Sequence, residues 1–177
     1  MKNDRLLEGS IRSIPDFPKP GILFRDVTTL IKNKPAFKKS IDLLAKKYKG
    51  MKIDKIVGVE ARGFIFGAAL AHKIGAGFVP VRKKGKLPYK TIATTYKLEY
   101  GTDTLEIHKD SIIKNEKVLI IDDLLATGGT VKAVVNLVKQ LRGKIVGIGF
   151  VIELVDLHGR DKLKDYPLYS LVKFCGE

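Results

Sequence analysis

The sequence predicts a doubly wound α/β fold in which helices flank a mainly parallel central sheet, and three observations support this. Short apolar runs rich in branched residues, such as VLII at residues 118–121, are typical of strands that are buried on both faces. Two of these runs lead through a polar turn into a helix with apolar spacing. The 177 residues are 45% hydrophobic, which suits one domain, residues 1–177, with a sizeable core.

The N-terminal part of the chain predicts a helix or a turn at residues 6–13, followed by an irregular segment. Pro15, Pro18 and Pro20 enforce an extended, irregular course that includes the segment FPKPGILFRD, residues 17–26. Its apolar residues are equally typical of a strap across the core, so this segment alone indicates no function. Residues 36–48 have the spacing of an amphipathic helix, and Gly50 is placed to end it.

The first predicted core strand is residues 55–59, and a polar turn containing Arg62 joins it to the apolar helix FIFGAALA. Ligands of open α/β sheets lie at the carboxyl ends of strands, so Arg62 is placed to bind an anion. It could equally begin the helix and form a surface ion pair. The next strand, residues 78–81, leads into RKKGKLP, whose positive charges suit either a solvated loop or counter-charges beside a polyanion.

Residues 91–100 and 104–108 alternate in the manner of strands around Gly101, Thr102 and Asp103, which predicts a hairpin. Within the first arm, Glu99 on its own would be a solvent-facing strand residue. Further strands are predicted at residues 145–154 and 168–172.

The motif VLIIDDLLATGGT, residues 118–130, carries the most specific chemistry. The strand is predicted to stop at Asp122 and Asp123, and a helix is predicted to start after the run of small or hydroxylated residues Ala126, Thr127, Gly128, Gly129 and Thr130. Free amides at a helix N-terminus bind phosphate. Paired carboxylates would repel bare phosphate, so they suit ribose hydroxyls or a divalent metal held mainly through water. The alternative is that the acids cap a turn and the glycines permit tight packing.

This order of strand, acidic pair, small-residue loop and helix resembles the phosphoribosyl pyrophosphate (PRPP) signature of type I phosphoribosyltransferases. DDLLATGGT is similar to the adenine-specific members in particular. The resemblance extends from about residue 14 to the C-terminus, with four motifs in the family's order. A P-loop is excluded because no Lys follows the paired glycines, and a dinucleotide fingerprint is excluded because Gly75-Ala76-Gly77 leads to Pro80.

The resemblance implies an enzyme that transfers the 5-phosphoribosyl group of PRPP to N9 of adenine, giving AMP and pyrophosphate in purine salvage. It implies Mg²⁺ as a cofactor held mainly through PRPP and water, with no direct protein ligand. It also implies a homodimer, a small hood contributed mainly by the N-terminal segment, and a flexible hairpin lid at about residues 82–108.

The resemblance assigns the site residues motif by motif. Asp122 and Asp123 hold the ribose hydroxyls, and the small-residue run 126–130 binds the 5′-phosphate. Arg62 and Arg82 contact pyrophosphate, and Lys86 is a further candidate there.

Adenine contacts are assigned to three neighbouring residues and one lid residue. Phe24 packs on the ring, while the backbone near Leu23 and Arg25 reads its polar edge, so side chains alone do not identify the base. Glu99 is the catalytic candidate, contacting the base and assisting proton transfer, and Tyr100 is a lid tyrosine. The family's pyrophosphate loop also predicts a non-proline cis peptide between Glu60 and Ala61.

Composition adds expectations about partners and location. The 33 Lys and Arg outnumber the 19 Asp and Glu, giving a formal charge of +14, which suits nucleic acid or polyanionic substrates. Lysines on solvated helix faces explain most of this excess, so we expect no nucleic-acid partner. The lone Cys175 and the lack of a signal peptide or membrane-length apolar run predict a cytoplasmic protein without a membrane partner.

Two alternative functions share these features. A transferase for xanthine or another base would keep the same PRPP motifs, because those motifs contact only the common substrate. A PRPP-sensing regulator that binds nucleic acid would keep the fold and the basic surface.

Overall fold

The computed structural model describes residues 3–97 and 102–176, and these contain five α-helices and nine β-strands. The helices are α1 (Arg5–Gly9), α2 (Thr28–Lys32), α3 (Lys34–Lys47), α4 (Arg62–Ile74) and α5 (Gly129–Gln140). The strands are β1 (Arg12–Ile14), β2 (Phe24–Asp26), β3 (Lys55–Val59), β4 (Gly77–Lys83), β5 (Thr91–Lys97), β6 (Thr102–His108), β7 (Lys117–Leu125), β8 (Lys144–Leu154) and β9 (Leu168–Phe174). Two 3₁₀ turns, Val155–Leu157 and Gly159–Leu163, connect β8 to β9.

Seven strands form one sheet in the order β5-β6-β4-β3-β7-β8-β9. The five strands from β4 to β9 in that order run parallel, and the β5–β6 hairpin adds to the β4 edge in antiparallel fashion. β1 and β2 pair separately as a small antiparallel sheet. The predicted α/β fold with a mainly parallel sheet is therefore confirmed.

Helices cover both faces of this sheet, as the apolar strands require. Neighbouring strand residues point to opposite faces. Ile120 of β7 accordingly packs in one buried cluster with Val134 of α5. Leu119 packs in a second cluster with Leu44 of α3 and Phe66 of α4. Because both faces are buried, the ligand-accessible part of the central strands is limited to their ends.

Local sequence signals explain where several helices begin and end. The Asn33 side chain caps α3 by accepting a hydrogen bond from the Ala36 amide at 3.0 Å. α4 ends at Gly75, which adopts the left-handed conformation with φ of 74°. Every helix among the described residues is too short or too polar to reach across a lipid bilayer.

Several predicted boundaries are wrong. α5 begins at Gly129, within the small-residue run, rather than after Thr130. β7 does not stop at the acidic pair but continues to Leu125, since Asp122 and Leu124 stay paired with Phe150 and Ile152 of β8. Thr102 and Asp103 belong to β6 rather than to the hairpin turn, because both pair with β5. The helix or turn predicted at residues 6–13 is a short helix, α1, followed by the start of β1.

Candidate active site

A cavity of about 350 Å³ lies at the carboxyl ends of β3 and β7. The start of α4, the loop after β7 and the start of α5 form most of its wall, and the β5–β6 hairpin contributes one side. The described residues that line it are Val59, Glu60, Ala61, Arg62, Lys83, Tyr96, Asp103, Leu105 and every residue from Asp122 to Val131. The cavity therefore brings the predicted acidic pair, the small-residue loop and Arg62 together.

Asp122 and Asp123 are both buried, with 7% and 6% of their surface exposed. An Oδ1 atom of Asp122 accepts a hydrogen bond from the Asp123 amide at 2.9 Å. Burial raises the pKa of Asp122 well above its ordinary value, and the adjacent charge of Asp123 acts in the same direction. Burial also raises the pKa of Asp123, although the Arg62 guanidinium opposes it. The two carboxylates thus place several hydrogen-bond acceptor oxygens at the cavity wall, which suits them to accept from hydroxyl groups.

Arg62 is the first residue of α4 and connects the acidic pair to the N-terminal segment. Its Nε lies 2.7 Å from Oδ2 of Asp123, and its guanidinium carbon lies 5.7 Å from the centroid of the Phe24 ring. Gly63 permits this close approach of α4 to β7, since a Cβ there would lie 2.7 Å from Oδ1 of Asp122. Arg62 therefore combines the two roles left open by the sequence, helix start and cation of the site.

The loop from Ala126 to Gly128 leads into α5 without a side-chain cap among the described residues. The first amides of a helix have no partner within it, so the amides of Gly129 and Thr130 are available to a ligand. Gly128 takes the left-handed conformation, with φ of 76°, that turns the chain into the helix. Available amides at the positive end of a helix dipole bind phosphate.

Glu60 lies where the sequence predicted only a turn, and it organises the basic loop. Its carboxylate accepts hydrogen bonds from Nζ of Lys86 at 2.7 Å, the Lys83 amide at 2.9 Å and a terminal nitrogen of Arg82 at 3.2 Å. Burial acts to raise the pKa of Glu60, but Lys86, the Lys83 amide and Arg82 outweigh it and lower the pKa to about 2. The predicted cis peptide between Glu60 and Ala61 is present.

Arg82 and Lys86 are not among the described residues that line the cavity. Both side chains instead donate hydrogen bonds to Glu60, and Glu60 lines the cavity. Lys83 occupies the cavity wall, and its Nζ lies 3.1 Å from Oδ2 of Asp103 on β6. The sequence pattern does not identify Lys83 or Asp103 as site residues, although Lys83 belongs to the basic run RKKGKLP.

The predicted adenine residues lie beside the cavity rather than in its described lining. Phe24 lies beside Arg62, which lines the cavity. The Arg25 side chain instead donates a hydrogen bond to Oγ of Ser13 at 2.6 Å, and its guanidinium carbon lies 4.0 Å from the centroid of the Phe174 ring. Leu23 is half-buried just before β2. Glu99 and Tyr100 lie outside the described residues.

The fit of a divalent metal can be judged from the oxygen atoms present. Among the described residues, no group of three or more His, Cys, Asp and Glu side chains could hold a metal ion. Asp122 and Asp123 offer carboxylates, but Mg²⁺ demands six oxygen ligands. The residues therefore fit a magnesium ion whose coordination comes mainly from a phosphorylated substrate and water.

Two buried carboxylates, an uncapped helix N-terminus and basic side chains meet at one cavity, which is the combination expected of the phosphoribosyltransferase class. The chain matches the phosphoribosyl transferase domain over residues 26–174 and belongs to that family. Within it, the chain belongs to the adenine phosphoribosyltransferases. The relative from Clostridium botulinum is 60% identical over 168 residues, which is 95% of this chain and 98% of the relative.

Solved structures of the same family agree with this assignment. The adenine phosphoribosyltransferase of Thermoanaerobacter pseudethanolicus has a TM-score of 0.92 and 54% identity, covering 96% of this chain and 98% of its own. The Saccharomyces cerevisiae enzyme, complexed with an imino-altritol bisphosphate and adenine, has a TM-score of 0.90 and 44% identity. That match covers 95% of this chain and 97% of the yeast chain.

Proposed function

We propose that this cavity is the site at which the 5-phosphoribosyl group of PRPP is transferred to N9 of adenine, giving AMP and pyrophosphate. The observation that carries the proposal is the meeting of two buried carboxylates with an uncapped helix N-terminus in one cavity. Membership of the adenine phosphoribosyltransferases supports the base and the reaction. The protein would act in purine salvage as a pentosyltransferase.

The acidic pair and the loop after β7 would bind the two ends of the ribose 5-phosphate unit. Asp122 and Asp123 accept hydrogen bonds from the ribose hydroxyls through their carboxylate oxygens. The amides from Ala126 to Thr130 bind the 5′-phosphate, assisted by the dipole of α5. This arrangement separates the acids from the phosphate by the length of the sugar.

Pyrophosphate would be bound by basic side chains that now have carboxylate partners. Arg62 exchanges Asp123 for a phosphate oxygen, while Arg82 and Lys86 exchange Glu60. Each exchange pairs the cation with a phosphate oxygen in place of a carboxylate, so no cation is left unpaired. Arg82 suits this role because its guanidinium can bind two oxygens at once.

Adenine would lie against the N-terminal segment. Phe24 packs on the ring, and the backbone near Leu23 and Arg25 pairs with its polar edge. The yeast relative that binds adenine supports a base site in this family. Glu99 then contacts the base from the hairpin, and Tyr100 accompanies it.

The reaction would form the N9–C1 bond of AMP while the C1–oxygen bond to pyrophosphate breaks. N9 attacks from the face opposite the leaving group, and Glu99 assists loss of the N9 proton. Bound Mg²⁺ would supply charge neutralisation that makes pyrophosphate a better leaving group. The residues contribute mainly by aligning both substrates and excluding water, effects that can reach about 7 to 11 kcal/mol.

Three broader features accompany the proposal. Residues 1–177 act as one phosphoribosyltransferase domain, with the N-terminal segment as hood and residues 82–108 closing over bound substrates as a lid. A homodimer and a cytoplasmic location follow from the family resemblance and the composition. Light scattering coupled to gel filtration tests the dimer.

A competition assay tests the proposed function. The protein is incubated with PRPP, Mg²⁺ and an equal mixture of adenine, hypoxanthine, guanine and xanthine, and the nucleotide products are identified. We expect AMP to dominate. Formation of another nucleotide instead would assign a different base, and absence of AMP together with salt-dependent DNA binding would favour a PRPP-sensing regulator.

A further inference from the structure

The phosphate-binding loop rests on a turn from a distant part of the chain. A Cβ on Gly128 would lie 2.5 Å from the carbonyl oxygen of Gly159, and a Cβ on Gly159 would lie 3.0 Å from the Gly128 amide nitrogen. The two backbones therefore touch directly, with no side chain between them. A shift of Gly159 therefore moves the loop as well, because the two closely packed backbone segments have no space between them.

The 3₁₀ turn Gly159–Leu163, the Gly159 turn, is fixed at both of its ends. Leu163 at the far end is fully buried in the cluster that contains α5. At the near end, Arg160 forms a two-pronged ion pair with Glu153, through Nε to Oε1 and through a terminal nitrogen to Oε2 at 2.7 Å. The same terminal nitrogen lies 3.3 Å from Oγ of Ser170 on β9.

Glu153 is itself fixed relative to the loop. It pairs in the sheet with Leu125, the residue immediately before the loop, and only 3% of its surface is exposed. Burying an ion pair costs desolvation free energy, and a well-packed apolar pair of similar volume is often as stabilising or more so. Stability alone is therefore a weak reason for this arrangement. Its geometric effect is specific, since a two-pronged pair defines both the position and the orientation of Arg160.

We propose that Glu153 and Arg160 are positioning residues for the phosphate-binding loop, acting through Gly159. The inference rests on the proposed function, because it assigns the loop to the 5′-phosphate. Neither side chain touches substrate in this account. Loosening the pair lets the Gly159 turn move, which displaces the loop amides from the phosphate while leaving the pyrophosphate and adenine sites intact.

Titrations with ribose 5-phosphate and with pyrophosphate separate this role from a general structural one. Arg160→Lys keeps the charge but loses the two-pronged geometry, and Glu153→Gln keeps the shape but loses the charge. We expect the dissociation constant for ribose 5-phosphate to rise about tenfold in each, as for a modest displacement of binding groups, and that for pyrophosphate to stay within about twofold. The KM for adenine should not change.

Lys164→Met is the matched control. It removes the exposed ion pair with Asp161, at 3.4 Å, just beyond the same turn. We expect it to bind ribose 5-phosphate as the wild type does. Ser170→Ala removes only one hydrogen bond to Arg160 and should show a smaller effect in the same direction, which provides a test if the ion-pair variants do not fold.

Unchanged ribose 5-phosphate affinity in folded Arg160→Lys, or equal weakening of ribose 5-phosphate and pyrophosphate, would overturn the positioning role. Wild-type protein that forms no AMP would contradict the proposed function instead, and the two titrations would still decide whether the ion pair acts on the loop.

Discussion

Gly128→Ala tests the phosphate-binding loop with the least chemical change. Gly128 has a φ of +76°, and an added Cβ would lie 2.5 Å from the carbonyl oxygen of Gly159. The left-handed conformation costs an alanine about 1–2 kcal/mol. The contact adds a displacement of the loop from Gly159 of roughly an ångström, and misplacement on that scale can lower activity about a hundredfold. We expect PRPP affinity to fall about tenfold or more, because an amide hydrogen bond to a charged phosphate contributes about 1.5–3 kcal/mol.

Gly50→Ala is the matched control, because it isolates the backbone strain. Gly50 has a φ of +83°, and an added Cβ there would have nothing within 4 Å. It lies beyond α3 and lines no part of the active-site cavity among the described residues. Both variants should lower the melting temperature, Gly128→Ala by more, and only Gly128→Ala should lose PRPP affinity.

Isothermal titration of PRPP at fixed Mg²⁺ and thermal denaturation measure both effects. Folded Gly128→Ala protein that binds PRPP as tightly as the wild type would refute the assignment of this loop. Equal loss of affinity in Gly50→Ala would show that general destabilisation, not displacement of the loop, is responsible.

Three further variants test other parts of the site. Asp123→Asn should weaken PRPP binding about fivefold, since a neutral acceptor is roughly 1 kcal/mol weaker than a carboxylate; an unaltered dissociation constant at fixed Mg²⁺ would contradict this role. Glu99→Ala should lower kcat more than it weakens PRPP binding, and an unchanged kcat would remove Glu99 from the mechanism. The pKa of Glu60 is lowered from 4.5 to about 2, so its stabilising contribution is complete above pH 4.5 and is lost as the pH falls towards 2. Denaturant unfolding should therefore show a stability gap between wild type and Glu60→Gln that is constant near neutrality and shrinks in acid, whereas a gap that persists at pH 2 would count against the ion pairs.

Strands and helices with strong local patterns were predictable. The bounds of β3 agree with the prediction, because an apolar run ends there at a polar turn. The end of β7 was wrong, because carboxylates usually interrupt a strand whereas pairing with β8 carries this one on to Leu125. The residues of β7 do not indicate which strand lies beside it, so pairing with β8 in the folded chain set the end of β7.

The candidate site was predictable in its motifs but not in its cross-connections. The acidic pair, the loop and Arg62 were identified because each lies at the end of a predicted strand. The pairing of Glu60 with Arg82 and Lys86 was not predictable, since the sequence around a carboxylate in a turn does not indicate which residues it contacts. The contact between Gly128 and Gly159 joins two separate loops, and only the packed chain reveals it.

Diffraction from a crystal soaked with PRPP and Mg²⁺ tests the central claim most directly. We predict the 5′-phosphate within hydrogen-bonding distance of the amides from Ala126 to Thr130, and the ribose hydroxyls on the carboxylates of Asp122 and Asp123. Density for the ligand in any other place, with these amides and carboxylates uncontacted, would contradict the account.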